Sequence, residues 1–133
     1  MLVIDASVAV RACAASDGFA ELGSEALLAP SLMWSEARSA LHETAWRGEI
    51  DADDAESARL RLENCPVERV DHSDLGVEAW RIASELGLAK TYDAEYLALA
   101  QLLGWRVVTL DQRLRRGADR TGLVILPAEM RDR

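Results

Sequence analysis

The residues in this sequence that could do chemistry are acids, and four of them stand in unusual places. Asp5 follows directly on the apolar run Leu2-Val3-Ile4, and Asp111 closes a run centred on Val107 and Val108. Both runs read as buried strands, and sites in open α/β sheets lie outside the carboxyl ends of the strands. Glu36 shares a helical stripe with Met33, Ala37 and Ala40, and Asp93 shares one with Leu97 and Ala100. An ionised carboxylate on a packing stripe is unfavourable unless it is paired or metal-bound. Each acid alone also has a plainer reading. Asp5 and Asp111 suit helix N-caps or turns, Asp93 a first-turn position favoured by the helix dipole, and Glu36 a boundary site reaching water. The set of four says more than any member. Two strand-end acids and two acids on core-facing stripes suit an oxygen-ligand site for Mg²⁺ or Mn²⁺. One or two such ions activate water and bind a scissile phosphate. Glu95 is a weaker fifth candidate, and His42 and His72 lack any zinc-ligand spacing.

The elements that must position these acids alternate in type. Strands are expected at Leu2–Ile4, Ala26–Ala29, Pro66–Val70, Trp105–Leu110 and Gly122–Leu126. Helices are expected from Val8 to Ala15, capped by Ser7 or Asp5 and stopped at Asp17-Gly18, and from a Ser31 cap to Arg47 with Gly48 as its stop. Further helices run from Asp51 to Asn64, from Ser73 to Gly87, and from Tyr92 to Leu103 under a Thr91 cap. Alternating strands and helices imply βα crossovers and a mostly parallel sheet.

Length and composition set the outer limits. The chain has 133 residues, half of them apolar, which suits a single domain over residues 1–133 with one core. No apolar run approaches the ~20 residues that cross a bilayer. The start, Met1-Leu2-Val3-Ile4-Asp5, has no basic segment or cleavage site, so a cytoplasmic location is expected. Cys13 and Cys65 form no CxxC pair and read as buried free thiols. The net charge of −8 argues against nucleic acid as a partner if taken alone. It is either solubilising surface or partly a carboxylate pocket whose cations attract phosphate. Arg113, Arg115 and Arg116 follow Asp111 closely and are candidate phosphate contacts, against a solvated charged face. Trp34, Trp46, Trp80 and Trp105 read as core and interface residues, with Trp34 and Trp46 expected at a subunit contact.

Other function classes fit poorly. A phosphatase of the haloacid dehalogenase type needs a second Asp two residues after the first, where this chain has Ser7. A receiver domain needs an acidic pair near the first strand end, which is absent, and no GxGxxG or GxxxxGK loop occurs. The remaining non-enzyme alternative is a catalytically silent RNA-binding or partner-binding module of the same fold. The four intact acids count against it.

Val3-Ile4-Asp5-Ala6-Ser7-Val8, Ser35-Glu36-Ala37, the helix start Thr91-Tyr92-Asp93-Ala94-Glu95-Tyr96-Leu97-Ala98-Leu99-Ala100, and Val108-Thr109-Leu110-Asp111 resemble the motifs of PIN domains. Their order and spacing are most similar to the VapC-type toxins of bacterial toxin–antitoxin pairs, over essentially the whole chain. The resemblance implies a three-layer α/β/α fold with a five-stranded parallel sheet and helices on both faces. It implies a Mg²⁺- or Mn²⁺-dependent endoribonuclease, a homodimer, and an antitoxin that blocks the site. It assigns Asp5, Glu36, Asp93 and Asp111 to the acid quartet, with Ser7 and Thr109 at hydroxyl positions beside it. Ser39 departs from the pattern, which often has Asn shortly after the Glu.

Overall fold

A computed structural model describes residues 1–130. Its centre is a five-stranded, all-parallel sheet, with strands β1 (Leu2–Ile4), β2 (Leu27–Ala29), β3 (Val67–Arg69), β4 (Arg106–Val108) and β5 (Val124–Ile125) in the order β3-β2-β1-β4-β5. All of β1 and β2 is buried, as a parallel sheet covered on both faces requires. At the edge, β3 keeps only Val67 buried and turns Glu68 and Arg69 outward.

The order creates the feature that matters for function. The chain steps outward from β1 to β2 to β3, then returns to the other side of β1 to form β4 and β5. The switch in direction therefore lies between β1 and β4, which pair with Val3 opposite Val107 and Ile4 opposite Val108. A crevice opens at the carboxyl ends of strands where the order reverses. The next residues on the two strands are Asp5 and Thr109.

Helices α1 (Ala6–Cys13), α2 (Leu32–Trp46) and α3 (Ala52–Glu63) pack on one another, while α4 (Leu75–Leu86) pairs with α5 (Tyr92–Leu103). The latter helix lies against β1 and β4. Its Ala94, Tyr96, Leu97, Ala98, Leu99 and Ala100 are all buried, which is why its sequence is apolar almost all round. Gly104 ends it in the left-handed conformation, with φ of 75°, and the chain turns straight into β4.

Several details depart from expectation. Ser31 does not cap α2: its hydroxyl donates to Asp71 Oδ1 at 2.6 Å. Thr91 makes no side-chain cap either. Gly18 is not a helix stop but sits where the backbone passes so close to Ala12 that a Cβ would collide with its carbonyl. Two short helices, α6 (Gln112–Gly117) and α7 (Pro127–Met130), and two 3-10 turns at Gly18–Leu22 and Asp119–Thr121 were not foreseen. Trp34 belongs to this chain's own core, with the Arg69 guanidinium 4.4 Å from its ring centroid. Trp46 and Trp80, by contrast, are largely exposed. Cys13 and Cys65 are free, the first buried and the second half-buried. No helix among the described residues is long and apolar enough to cross a membrane.

Candidate active site

Asp5 leaves β1 in extended conformation and caps α1, its Oδ1 accepting the Val8 N–H at 3.2 Å. The cap reading of this residue is therefore correct. It does not exhaust the residue's contacts. The Ser7 hydroxyl donates to Oδ1 at 2.6 Å, and the Thr109 hydroxyl donates to Oδ2. Three donors fix a carboxylate that is itself buried. Burial still prevails over these bonds and raises the Asp5 pKa above the usual carboxylate value, with the charge of Asp111 adding to it.

Thr109, fully buried, and Ser7 tie the two strand ends together. The Ser7 oxygen accepts the Leu110 N–H at 3.1 Å, and Thr109 Oγ1 accepts the Asp111 N–H at 3.0 Å. These bonds turn the chain out of the sheet after β4 and bring Asp111 to the start of α6. Asp111 caps that helix, with Oδ1 accepting from the Arg113 and Leu114 N–H groups at 2.9 and 3.2 Å. Its other oxygen receives no donor among the described residues.

Asp93 sits in the first turn of α5 and is exposed. Its carboxylate has no hydrogen-bond partner among the described residues. Its pKa is raised, first by the protein around the carboxyl and then by the charges of Asp111, Glu36 and Asp5; Arg113 acts in the opposite direction. Asp93 is thus within electrostatic reach of the other three predicted acids, and Asp5 within reach of Asp111. Glu36, in the second turn of α2, is half-buried, and the Tyr96 hydroxyl donates to its Oε1 at 2.5 Å. Glu95 lies near enough to Glu36 that, after burial, the Glu36 charge raises its pKa.

The three arginines separate. Arg113 is the one whose charge reaches Asp93. Arg115 is committed elsewhere, pairing with Glu129 at 2.9 Å and Asp119 at 2.6 Å. Arg116 is exposed on α6. Ser39 lines an open depression beside Glu36 and Tyr92. Tyr96 is the contact partner that sequence reasoning missed. The signal was present: a hydroxyl-bearing side chain at the position after Glu95 on an otherwise aliphatic stretch of helix.

The donor set suits a hard divalent cation. It consists of carboxylate oxygens with no thiol or imidazole among them, and Asp93 feels the charges of three other acids against that of one arginine. Among the described residues no three His, Cys, Asp or Glu side chains stand close enough to hold one ion together directly. An ion here would keep part of its water shell, as Mg²⁺ ordinarily does.

A parallel sheet with this order and an acid-lined crevice at its switch point define a known class. The family model of the PIN domain matches residues 2–120, and the chain belongs to that family. Among its relatives are the VapC ribonuclease Mb0985 of Mycobacterium bovis and the ribonuclease VapC9 of Mycobacterium tuberculosis. Each is 36% identical over 116 residues, which span 86% of this chain and 88% of the relative. The crystal structure of PAE2754 from Pyrobaculum aerophilum aligns with a TM-score of 0.76 and 28% identity, covering 97% of this chain and 92% of that one.

Proposed function

We propose that this protein is a VapC-type endoribonuclease that hydrolyses RNA phosphodiester bonds with Mg²⁺ or Mn²⁺ at the crevice between β1 and β4. The observation that carries the reading is the crowding of Asp93 by Asp111, Glu36 and Asp5 without a hydrogen bond of its own. Such an arrangement is unfavourable by itself and favourable around a cation.

In this reading Asp5, Asp93 and Asp111 would hold one ion between them, in part through its retained water. Glu36 would orient the attacking water or help to hold a second ion. When bound, such a cation would supply a lowered pKa for water and an offset to charge growing on the phosphate oxygens. The chain's own residues supply position. Ser7 and Thr109 lock the Asp5 carboxylate and join the strand ends, so that the acids are held in place before substrate arrives. Arg113 lies beside the crevice, where a phosphate would meet it. The net charge of −8 is compatible with RNA because the cation, not the bare protein surface, faces the phosphate. The same reading includes a cytoplasmic protein, a homodimer and an antitoxin that covers the crevice.

Thermal denaturation with and without Mn²⁺ tests the site, since a ligand that binds only the folded state raises the melting temperature. The expected result is a rise in the wild-type chain that Asp93→Asn abolishes, together with RNA cleavage that chelator stops. A rise of equal size in Asp93→Asn would place the ion elsewhere.

A further inference from the structure

The Tyr96 hydroxyl bonds across two elements and lies near the start of a third. The side chain comes from α5 and is 1% exposed. It donates to Glu36 Oε1 on α2 at 2.5 Å, and its oxygen faces the backbone N–H of Ala6, the first residue of α1. Ala6 follows Asp5, whose charge Tyr96 also feels. A phenol that only filled core space would need any acceptor; this one has been given a carboxylate that the site uses. Glu36 has no other hydrogen-bond donor among the described residues, so the direction of its carboxylate depends on this bond. A flexible glutamate near Asp93 and Glu95 would otherwise turn towards water, away from their repulsion.

We propose that Tyr96 is a positioning residue for the ribonuclease reaction: it aims the Glu36 carboxylate into the crevice and couples that aim to the Asp5 end of α1. The proposal rests on the reading of the crevice as a metal-dependent ribonuclease site. In this role Tyr96 acts through Glu36, the carboxylate to which it donates. Its hydroxyl stays protonated throughout, because burial and the neighbouring carboxylate raise its pKa well above the usual tyrosine value.

The test is a double-mutant cycle of Tyr96→Phe and Glu36→Ala. The Phe change keeps the ring and removes one oxygen, so the fold should survive. Outer partners of site carboxylates typically contribute ~10–100-fold. Tyr96→Phe should therefore lower single-turnover cleavage by at least about tenfold while the RNA concentration for half-saturation changes less than about twofold. In the Glu36→Ala background the same change should have no further effect on the residual rate. A parallel cycle of urea denaturation in metal-free buffer should also show the two changes to be non-additive, a readout independent of activity. Wild-type rates in Tyr96→Phe, or an equal loss in both backgrounds, would overturn the proposal and leave Tyr96 as a packing residue. Cleavage by the parent chain that ignores chelator would instead refute the reading of the crevice, and the proposal with it, even if the stability coupling were intact.

Discussion

Thr109 and Asp5 are hydrogen-bonded across the switch point of the sheet, the hydroxyl after β4 donating to the carboxylate after β1. The strands that carry them are in register, with Ile4 opposite Val108, so each residue is the first beyond its strand. The bond closes the gap between two segments a hundred residues apart, and Thr109 also accepts the N–H of Asp111. One buried hydroxyl thus sets the relative position of two acids of the proposed site.

Replacing Thr109 by Val keeps the shape and removes both roles. It leaves the buried Asp5 carboxylate short of a donor and the part-buried Asp111 N–H without its acceptor. Urea denaturation should show a loss of roughly 1–3 kcal/mol, the usual range for orphaning a buried polar group, and RNA cleavage should fall with it. Unchanged stability would mean the hydroxyl is dispensable to the strand ends.

At Asp111, capping and chemistry can be separated. Asn is a good N-cap, whereas Ala loses about 1 kcal/mol at such a position. Asp111→Ala should therefore be both less stable and inactive, and Asp111→Asn inactive with near-parental stability. An active Asp111→Asn variant would reduce the residue to a cap.

Partial desolvation of the Asp93 carboxyl by the surrounding protein, exposed though the residue is as a whole, and neighbouring acids raise its folded-state pKa above the ordinary value of 3.8. The folded protein then binds protons more readily than the unfolded chain in the interval between the two values. In chelator, the resulting penalty is present in full above the folded pKa and fades as pH falls towards 3.8. Asp93→Asn removes it. This variant should be more stable than the parent at neutral pH without metal, and the gap should close on acidification. Denaturation curves across pH would show this. A less stable variant at neutral pH in chelator would contradict the crowding.

The arginines of α6 should divide in the same way. Arg113→Ala should weaken RNA binding and reduce the salt dependence, by roughly one in the log–log slope if it meets one phosphate. Arg115 instead fastens α6 to Glu129 of α7. Arg115→Ala should leave the salt slope unchanged and act on stability. Binding titrations at several salt concentrations distinguish them, and a changed slope in Arg115→Ala would return that residue to the interface.

The pattern of the chain reveals the sheet and the acids well, because each is a local signal. Val or Ile marks four of the five strands and Leu27-Leu28 before Pro30 marks the other, and an acid on a helical stripe is visible from its neighbours. Strand ends are less visible: Thr109 and Leu110 continue the apolar run, but side-chain bonds from Ser7 and Thr109 take the chain out of the sheet after Val108. The short helix α6 was hidden because Gln112-Arg113-Leu114-Arg115-Arg116 has one buried apolar residue, Leu114, and so no stripe. The contacts of Trp34 and Arg115 were not visible for a related reason. Each is settled by a partner distant in sequence, Arg69 for the first and Glu129 for the second. The same is true of Tyr96, whose bond to Glu36 spans 60 residues.

The chemistry of the cut ends tests the central claim most directly. A defined RNA is incubated with the purified chain in Mg²⁺ or Mn²⁺ and in excess chelator, with Asp5→Asn alongside as a nearly isosteric variant, and the termini of the fragments are identified. The account predicts cleavage only with metal, 5′-phosphate and 3′-hydroxyl ends from attack by water, and no cleavage by a folded Asp5→Asn protein. Full activity in chelator, or 2′,3′-cyclic phosphate ends, would contradict it.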